Sequence, residues 1–281
     1  MSPSPTSPLG VSLLGCGEIG RILARAVREG RAGRVQLRYL FDRDPGRSRR
    51  LAEELGGGVR VAGSFSEILS DPETRVVVEA ASQAAVAEYG EEVLRSGKDL
   101  MVMSVGALAD EGLLRRLREA AARGGSRIHI PSGSVLGVDG VKAAGLVGIR
   151  EAQLTTRKPP AALAYSPYLK ERGVDLSHLK EPKVVFEGTA REAVRAFPES
   201  VNIAATLALA GVGFDGLRVR IIADPTLDRN VHELRVRGEA GEMVTVARNV
   251  PSPGNPRTSY LAALSAIMRL RDLVETLLVG T

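Results

Sequence analysis

The fold is decided by residues 9–20, which read LGVSLLGCGEIG. A mainly apolar run ends abruptly at a glycine-rich turn, and this pattern predicts a buried strand over residues 9–14. Beyond the turn, apolar residues recur every three or four positions to about residue 29, which is typical of one face of a helix. A second apolar run covers residues 35–41. Strand, helix and strand in this order predict a βαβ unit with parallel strands and a right-handed crossover.

The same alternation continues as far as residue 130. It predicts further strands near residues 59–62, 75–79, 99–105 and 127–130, and further helices near residues 45–55, 66–69, 84–96 and 110–123. About six strands with intervening helices indicate an α/β fold, built on a doubly wound parallel sheet of the Rossmann type.

The glycine-rich turn carries the first chemical signal, Gly15-x-Gly17-x-x-Gly20. Gly15 allows the tight turn, Gly17 lets the backbone approach a pyrophosphate at the helix N-terminus, and Gly20 permits close packing of helix on strand. Asp42 ends the next strand, where its carboxylate would accept hydrogen bonds from the adenosine ribose and favour NAD. The neighbouring Arg43 is suited to a 2′-phosphate, so NADP stays open. The predicted cofactor site also includes the turn residues Glu18 and Ile19.

The character of the sequence changes after Pro131. Alternating apolar and polar residues occupy segments 151–157, 183–189, 218–223, 231–237 and 242–248. This alternation predicts a smaller α+β domain with a mostly antiparallel sheet and one buried face. Helices are predicted over about 199–210 and 258–278, and the packing stripe of the second is expected to contain Leu261, Leu264, Ile267, Met268, Val274 and Leu278.

These patterns divide the chain into a tail and two domains. We expect a disordered Ser/Pro tail over residues 1–8 and a dinucleotide-binding domain over residues 9–130. A substrate, catalytic and dimerisation domain is expected over residues 131–256. The closing helix, residues 257–279, is expected to return to the first domain.

Three histidines are candidates for acid–base chemistry. His129 lies at a strand end and is interpreted as structural, whereas His178 lies in a polar loop where a solvated side chain is the default. His232 shares strand parity with Leu234 and Val236, so it is predicted to point to the apolar face. That placement fits a hydrogen-bonded packing residue, and it also fits an imidazole that titrates near working pH.

Two further polar positions are candidates for binding. Asn202 begins a helix rich in Ala and Leu, where a carboxamide would hydrogen-bond a nicotinamide amide or satisfy the first turn. Lys158 lies in the run TTRKPP at residues 155–160, which suits carboxylates of an acidic substrate or a solvated strand end. The sequence leaves both choices open.

Composition and charge exclude several classes of protein. The net charge of +5 is spread along the 281 residues, so nucleic acid is not an expected partner. No apolar stretch is long enough for a membrane span, and the N-terminus lacks the plan of a signal peptide, so we expect a soluble, cytoplasmic protein. One Cys and three His disfavour a disulfide framework and a metal centre.

Beyond the fingerprint, the chain resembles the L-aspartate dehydrogenase family of NAD biosynthesis over nearly its whole length. The segments that carry the resemblance are SVGALAD at 104–110, IPSGS at 130–134, TTRKP at 155–159, FPESVNIAA at 197–205, DP at 224–225 with Asn230 and His232, and PSPGNP at 251–256. Their order and spacing also fit the family.

The resemblance implies a reaction and a set of roles. The family takes L-aspartate to iminoaspartate with NAD or NADP, and its members are similar in being cytosolic homodimers. By position, His232 is implied as the catalytic residue and Asn202 as a nicotinamide-side contact. Ser134 is implied as a cofactor contact where the family commonly has Ala, which favours a contact through its backbone. On charge and position alone, and not on the resemblance, Lys158 and Asn230 are expected to bind substrate carboxylates.

Other functions compete with this interpretation. Dihydrodipicolinate reductase and homoserine dehydrogenase share the two-domain layout, although the basic, His-rich signature of the former is missing and the chain is short for the latter. A non-catalytic NAD-binding sensor would bind the dinucleotide without turnover. The presence of both His232 and Asn202 argues against such a sensor.

Overall fold

The structure is a computed structural model that describes residues 7–198 and 201–280. Most of the expected tail, residues 1–6, and the start of the predicted helix at 199–200 lie outside the described residues. The chain forms two compact units. Unit 1 contains the residues up to Pro131 together with Ala263–Val279, and unit 2 contains Ser132–Ala262 and Gly280.

Unit 1 is built on the parallel sheet that the sequence predicts. Its strands are β1 (Leu9–Leu14), β2 (Val35–Phe41), β3 (Arg60–Val61), β4 (Thr74–Glu79), β5 (Asp99–Val102) and β6 (Ile128–His129). Their order across the sheet is β3-β2-β1-β4-β5-β6, and all neighbours are parallel. The chain reverses direction across the sheet between β1 and β4, which confirms the doubly wound fold class.

Helices connect these strands. They are α1 (Glu18–Arg28), α2 (Pro45–Glu54), α3 (Phe65–Ser70), α4 (Gln83–Arg95) and α5 (Glu111–Gly124), with a 3₁₀ helix at Val105–Ala109. The first helix buries Leu23 and Val27 against Val11 and Leu13 of β1, as its apolar spacing predicts. The sheet shares this apolar core with α1 and α2.

Unit 2 is built on a mixed sheet. Its main strands are β7 (Ile149–Lys158), β8 (Lys183–Thr189), β9 (Leu217–Ala223), β10 (Asn230–Gly238) and β11 (Gly241–Asn249), in the order β11-β10-β7-β9-β8. The pair β7–β9 is parallel and the other pairs are antiparallel, so the prediction of a mostly antiparallel sheet is confirmed. A short hairpin of β12 (Pro251–Ser252) and β13 (Asn255–Ser259) follows.

The helices of unit 2 depart from the sequence prediction. They are α6 (Val138–Gly145), α7 (Pro160–Leu163), α8 (Pro167–Glu171), α9 (Ala190–Ala196) and α10 (Asn202–Leu207). The predicted helix over 199–210 is helical from residue 202 onward in its described part, as α10 followed by a π-helical turn at Ala208–Val212. Gly211, with φ of 146°, breaks the helical backbone there.

The last helix, α11 (Tyr260–Asp272), is shorter than predicted at both ends. Its buried face carries Ala263, Ala266, Ile267 and Leu270, and the last three join the core of unit 1. Met268 and Leu278 were wrongly placed in the packing stripe, because Met268 lies on the exposed face and Leu278 lies beyond the helix. None of the helices in the described ranges is long and apolar enough to cross a bilayer.

Candidate active site

The glycine-rich loop of unit 1 has the geometry of a phosphate cradle. Gly15 adopts φ of 105°, and a Cβ there would lie 2.6 Å from the Ala80 carbonyl oxygen. A Cβ on Gly20 would collide with the carbonyl oxygen of Gly15. Gly17, the N-cap of α1, has open space where its Cβ would lie. The loop therefore fits a pyrophosphate, since its close approaches need glycine and its helix N-terminus has no side-chain cap.

Asp42 closes the loop from the end of β2. One carboxylate oxygen accepts from the Cys16 backbone N–H at 2.8 Å and the other accepts from the Asp44 N–H at 2.9 Å. Asp42 and Arg43 both line a pocket with Gly15 and Gly17. The structure thus places these four predicted cofactor residues together, and the pocket continues toward Arg47 and Tyr89, which sequence reasoning missed.

The other two predicted loop residues are engaged elsewhere. Glu18 accepts from Arg21 at 2.7 Å, and Ile19 packs against the core of unit 1. Their backbone amides belong to the first turn of α1, where helix N–H groups have no intrahelical partner. At these positions the backbone N–H groups, and not the side chains, are therefore the groups suited to bind an anion.

His232 lies on the buried face of the unit 2 sheet, as its parity predicts. Only 3% of the residue is exposed, and its Nδ1 lies 3.1 Å from Thr156 Oγ1 on the paired strand β7. No group among residues 7–198 and 201–280 hydrogen-bonds its Nε2. Burial, helped by the positive charge of Lys158, lowers the pKa of His232 to about 3. The imidazole is therefore neutral at working pH.

Lys158 lies on the same face of the same sheet, two residues beyond Thr156. It is 4% exposed, and burial lowers its pKa to about 8. Within the described part of the chain, no carboxylate pairs with its ammonium group; the nearby Asp224 instead binds Thr226 and lies 3.8 Å from Arg157. Buried cations are normally paired, so this one creates a site for an anion.

The strand register places Asn230 opposite Asn249 of β11. Asn230 and Lys158 each lie one residue beyond Val231 and Arg157, the last pair between β10 and β7. Both asparagines are buried, and the Asn230 amide donates to Ser259 Oγ at 3.4 Å. Lys158, Asn230 and Asn249 thus form a polar row across three strands, next to the pair of Thr156 and His232. This end of the sheet face, which we call the polar end, contrasts with the apolar rows of Leu154 and Leu234 beyond it.

Asn249 also reaches the loop that carries Ser134. Its Nδ2 donates to the Ser134 carbonyl oxygen at 2.8 Å, and both residues are buried. Sequence reasoning missed Asn249, although its alternation with the buried Ala247 on β11 was a usable signal. The structure does bring Ser134 to the polar end.

Asn202 is the first residue of α10 and is half-buried. Its backbone carbonyl accepts from Thr206 Oγ1 at 3.1 Å. Its place at the start of the helix agrees with the predicted position. Its role as a cofactor contact stays a prediction.

The remaining histidines have structural or solvent-exposed places. His129 Nε2 lies 2.8 Å from Asp99 Oδ2, and its Nδ1 lies 3.1 Å from the guanidinium of Arg269 on α11. His178 is exposed in its loop. Neither lies in the unit 2 sheet, so His232 is the histidine that the polar end contains.

A doubly wound unit with this glycine loop, combined with a mixed-sheet unit, defines the class of NAD-binding oxidoreductases. Family models agree: "Homoserine dehydrogenase, NAD binding domain" matches residues 15–131, and "Aspartate dehydrogenase, C-terminal" matches residues 139–273.

Full-length relatives narrow this class. L-aspartate dehydrogenase from Methanosarcina mazei is 44% identical over 97% of this chain and 100% of the relative, and the enzyme from Methanocaldococcus jannaschii is 39% identical over the same shares. The crystal structure of aspartate dehydrogenase from Thermotoga maritima matches with a TM-score of 0.76 and 29% identity, over 97% of this chain and 99% of the other. The chain belongs to the L-aspartate dehydrogenase family.

Proposed function

We propose that the protein oxidises L-aspartate to iminoaspartate with NAD or NADP, reversibly to oxaloacetate plus ammonia, and so supplies NAD biosynthesis. The observation that carries this proposal is the buried Lys158, which pairs with no carboxylate among the described residues, beside the neutral His232. A cation next to a base suits an anionic amino acid that must lose a proton. The names of the full-length relatives support aspartate as that amino acid.

The polar end supplies the proposed binding groups for the substrate. Lys158 pairs with a substrate carboxylate, and the amide of Asn230 donates to the same group or to the second carboxylate. Such an ion pair in a buried place satisfies a cation that has no carboxylate partner in the described part of the chain. An amino acid with a single carboxylate would leave either Lys158 or Asn230 without an anionic partner, so the site favours an acidic substrate.

His232 is the proposed acid–base group. With Nδ1–H donating to Thr156, Nε2 presents its lone pair and takes the proton that the α-ammonium group loses. When bound, the dinucleotide would supply the acceptor for the hydride on the substrate α-carbon. Loss of that hydride and of one proton from the α-ammonium form leaves the protonated imine, which releases a second proton to solvent to give iminoaspartate. In the reverse direction Nε2 returns the proton to the nitrogen.

The substrate itself is expected to make His232 more basic. The pKa of His232 is lowered first by burial and second by the Lys158 charge. A carboxylate paired with Lys158 offsets the second cause, because it neutralises the neighbouring cation. We therefore propose that the base gains proton affinity when the anionic substrate binds.

The cofactor side of the proposal is carried by unit 1. The loop from Gly15 to Gly20 holds the pyrophosphate, and Asp42 accepts from the ribose hydroxyls of NAD. Arg43 and Arg47 line the same pocket and supply cations for the 2′-phosphate of NADP. Asn202 and the backbone of Ser134 are the proposed contacts on the nicotinamide side. The protein is further proposed to act as a cytoplasmic homodimer.

The substrate is tested by initial rates of NADH and NADPH formation at mildly alkaline pH. L-aspartate is expected to be turned over. L-glutamate, L-homoserine and D-aspartate are tested separately as alternative substrates that differ from it in length, charge or handedness. Absence of turnover with all four, in a protein that still binds NADH, would contradict the proposed function and favour a sensor.

Two glycine variants test the cofactor cradle. Gly17→Ala places a methyl group in open space, so the fold is expected to lose only about 0.5–1 kcal/mol, the difference between glycine and alanine at an N-cap. The same methyl group would meet a bound pyrophosphate, and we expect the NADH dissociation constant to rise at least about tenfold, or about 1.4 kcal/mol. Fluorescence titration with NADH and thermal melting measure the two effects.

The second variant, Gly20→Ala, is the control for Gly17→Ala, because its methyl group would collide with the protein's own Gly15 carbonyl. It is expected to destabilise the fold by about 1–3 kcal/mol. If Gly17→Ala binds NADH as tightly as the wild type, the loop does not hold a pyrophosphate.

A further inference from the structure

Glu79 is a charged residue that the proposed chemistry does not use. It is the last residue of β4, none of it is exposed, and its carboxylate lies at the carboxyl end of the sheet. Burying a carboxylate is costly unless hydrogen bonds compensate for the lost water. The hydrogen-bond partners of Glu79 therefore indicate the role of its side chain.

Those partners are donors from two loops. Oε1 accepts from the Ala81 N–H and from Ser104 Oγ, each at 2.8 Å, and Oε2 accepts from the Ser104 N–H at 2.9 Å and the Met103 N–H at 3.3 Å. Residues 80–82 follow β4 and residues 103–104 follow β5. One carboxylate thus ties together the loops after two neighbouring strands.

The first of these loops forms a wall of the dinucleotide pocket. Ala80, Ala81 and Ser82 line it together with Gly15, and the Ala80 carbonyl lies close to where a Cβ on Gly15 would be. In doubly wound sheets the ligand binds outside the carboxyl ends of the strands, where β1 and β4 diverge. The residues tied by Glu79 therefore lie at this edge of the sheet.

We propose that Glu79 is a positioning residue of the cofactor site, whose carboxylate fixes the loops after β4 and β5 in the geometry that binds the dinucleotide. This inference rests on the proposed function, because it concerns the affinity of the same cofactor. Glu79 acts through the backbone of these loops and does not itself touch the reacting atoms.

Glu79→Gln is the main test, because it keeps the size of the side chain and replaces one acceptor by a donor. An amide NH₂ at the Oε2 position faces two backbone N–H groups, and at the Oε1 position it faces the Ala81 N–H. Either orientation loses a hydrogen bond to a loop. The NADH dissociation constant is expected to rise about tenfold.

The matched control is Asp71→Asn, because Asp71 precedes β4 and so lies at the amino end of the strand whose carboxyl end carries Glu79. Asp71 is also a buried carboxylate, and it accepts hydrogen bonds from Arg38 and from Thr74. Its loss is expected to lower the melting temperature without changing the NADH dissociation constant. A positioning role for Glu79 predicts a change in the NADH dissociation constant, whereas a merely structural role predicts a change in melting temperature alone.

Titration of NADH fluorescence and thermal melting are carried out on the full-length protein. Weakened NADH binding in Glu79→Gln, with an unchanged KM for L-aspartate at saturating NAD, supports the inference. Wild-type affinity in Glu79→Gln overturns it. If that variant does not fold, Ser104→Ala, which removes one donor to Glu79, replaces it, and unchanged NADH affinity there overturns the inference. A wild-type protein that binds neither NADH nor NADPH overturns the proposed function as well.

Discussion

Replacing His232 with alanine is expected to lower kcat for L-aspartate oxidation by about 100-fold to 10,000-fold, the usual contribution of a positioned acid–base group. The reason is that the structure offers no second histidine in the unit 2 sheet, and Lys158 is charged below its pKa of about 8. NADH affinity is expected to stay unchanged, because the glycine loop and Asp42 belong to unit 1. Initial rates and NADH titration measure the two quantities.

The control for this variant is His178→Ala, which removes an exposed imidazole from a loop of the same unit. It is expected to have wild-type kcat and wild-type NADH affinity. A His232→Ala protein that keeps its kcat would show that the histidine is a packing residue, which is the alternative that the sequence left open.

The structure predicts a pH dependence of kcat/KM that differs from the one expected of a histidine with an ordinary pKa. An unperturbed imidazole would lose its lone pair as pH falls through about 6.5. Because burial and Lys158 lower the pKa of His232 to about 3, the free protein keeps the neutral form well below that value. The expected profile of kcat/KM therefore has no acidic limb from His232 near pH 6.5.

The sequence predicted the strands of the site well because one face of the sheet is buried. Alternation alone placed His232 and Leu234 on the same side of β10, and the register of β10 with β7 then pairs His232 with Thr156. The fingerprint likewise placed Gly15, Gly17 and Asp42 around one pocket, because glycine spacing reports directly on backbone geometry.

What the sequence missed depends on contacts between distant segments. The hydrogen bond from Asn249 to the Ser134 carbonyl joins residues 115 positions apart, and periodicity carries no signal for such pairs. Glu79 was treated only as a strand end, since its partners in the β5 loop follow from the strand order. The short, Ala-rich helices α6 and α9 were missed because they offer too few turns for a clear apolar period.

Replacing Lys158 with methionine is expected to impair substrate binding and stabilise the fold at the same time. Loss of a charge-assisted hydrogen bond to a carboxylate costs about 1.5–3 kcal/mol, so KM for L-aspartate should rise at least about tenfold. NADH affinity should not change. Steady-state kinetics at saturating NAD measure the effect on KM.

The gain in stability follows from the sign of the pKa shift. The pKa of Lys158 falls from 10.5 in the unfolded chain to about 8 in the folded protein, so the unfolded state binds more protons between these values. Stability therefore rises with pH across this window, and the full penalty applies below about pH 8. Removing the buried cation is expected to stabilise the fold at pH 7 by about 3 kcal/mol.

The control is Lys142→Met, which removes an exposed lysine from α6 of the same unit and should change neither KM nor melting temperature. The wild type should also lose kcat/KM for L-aspartate above about pH 8, as Lys158 loses its proton, and this limb should be absent in Lys158→Met. A variant that is less stable than the wild type and keeps its KM would show that Lys158 supports the fold and not the substrate. A more stable protein with weakened aspartate binding is the outcome expected of a cation that is kept buried for an anionic ligand, because its cost to stability is then offset by its role in function.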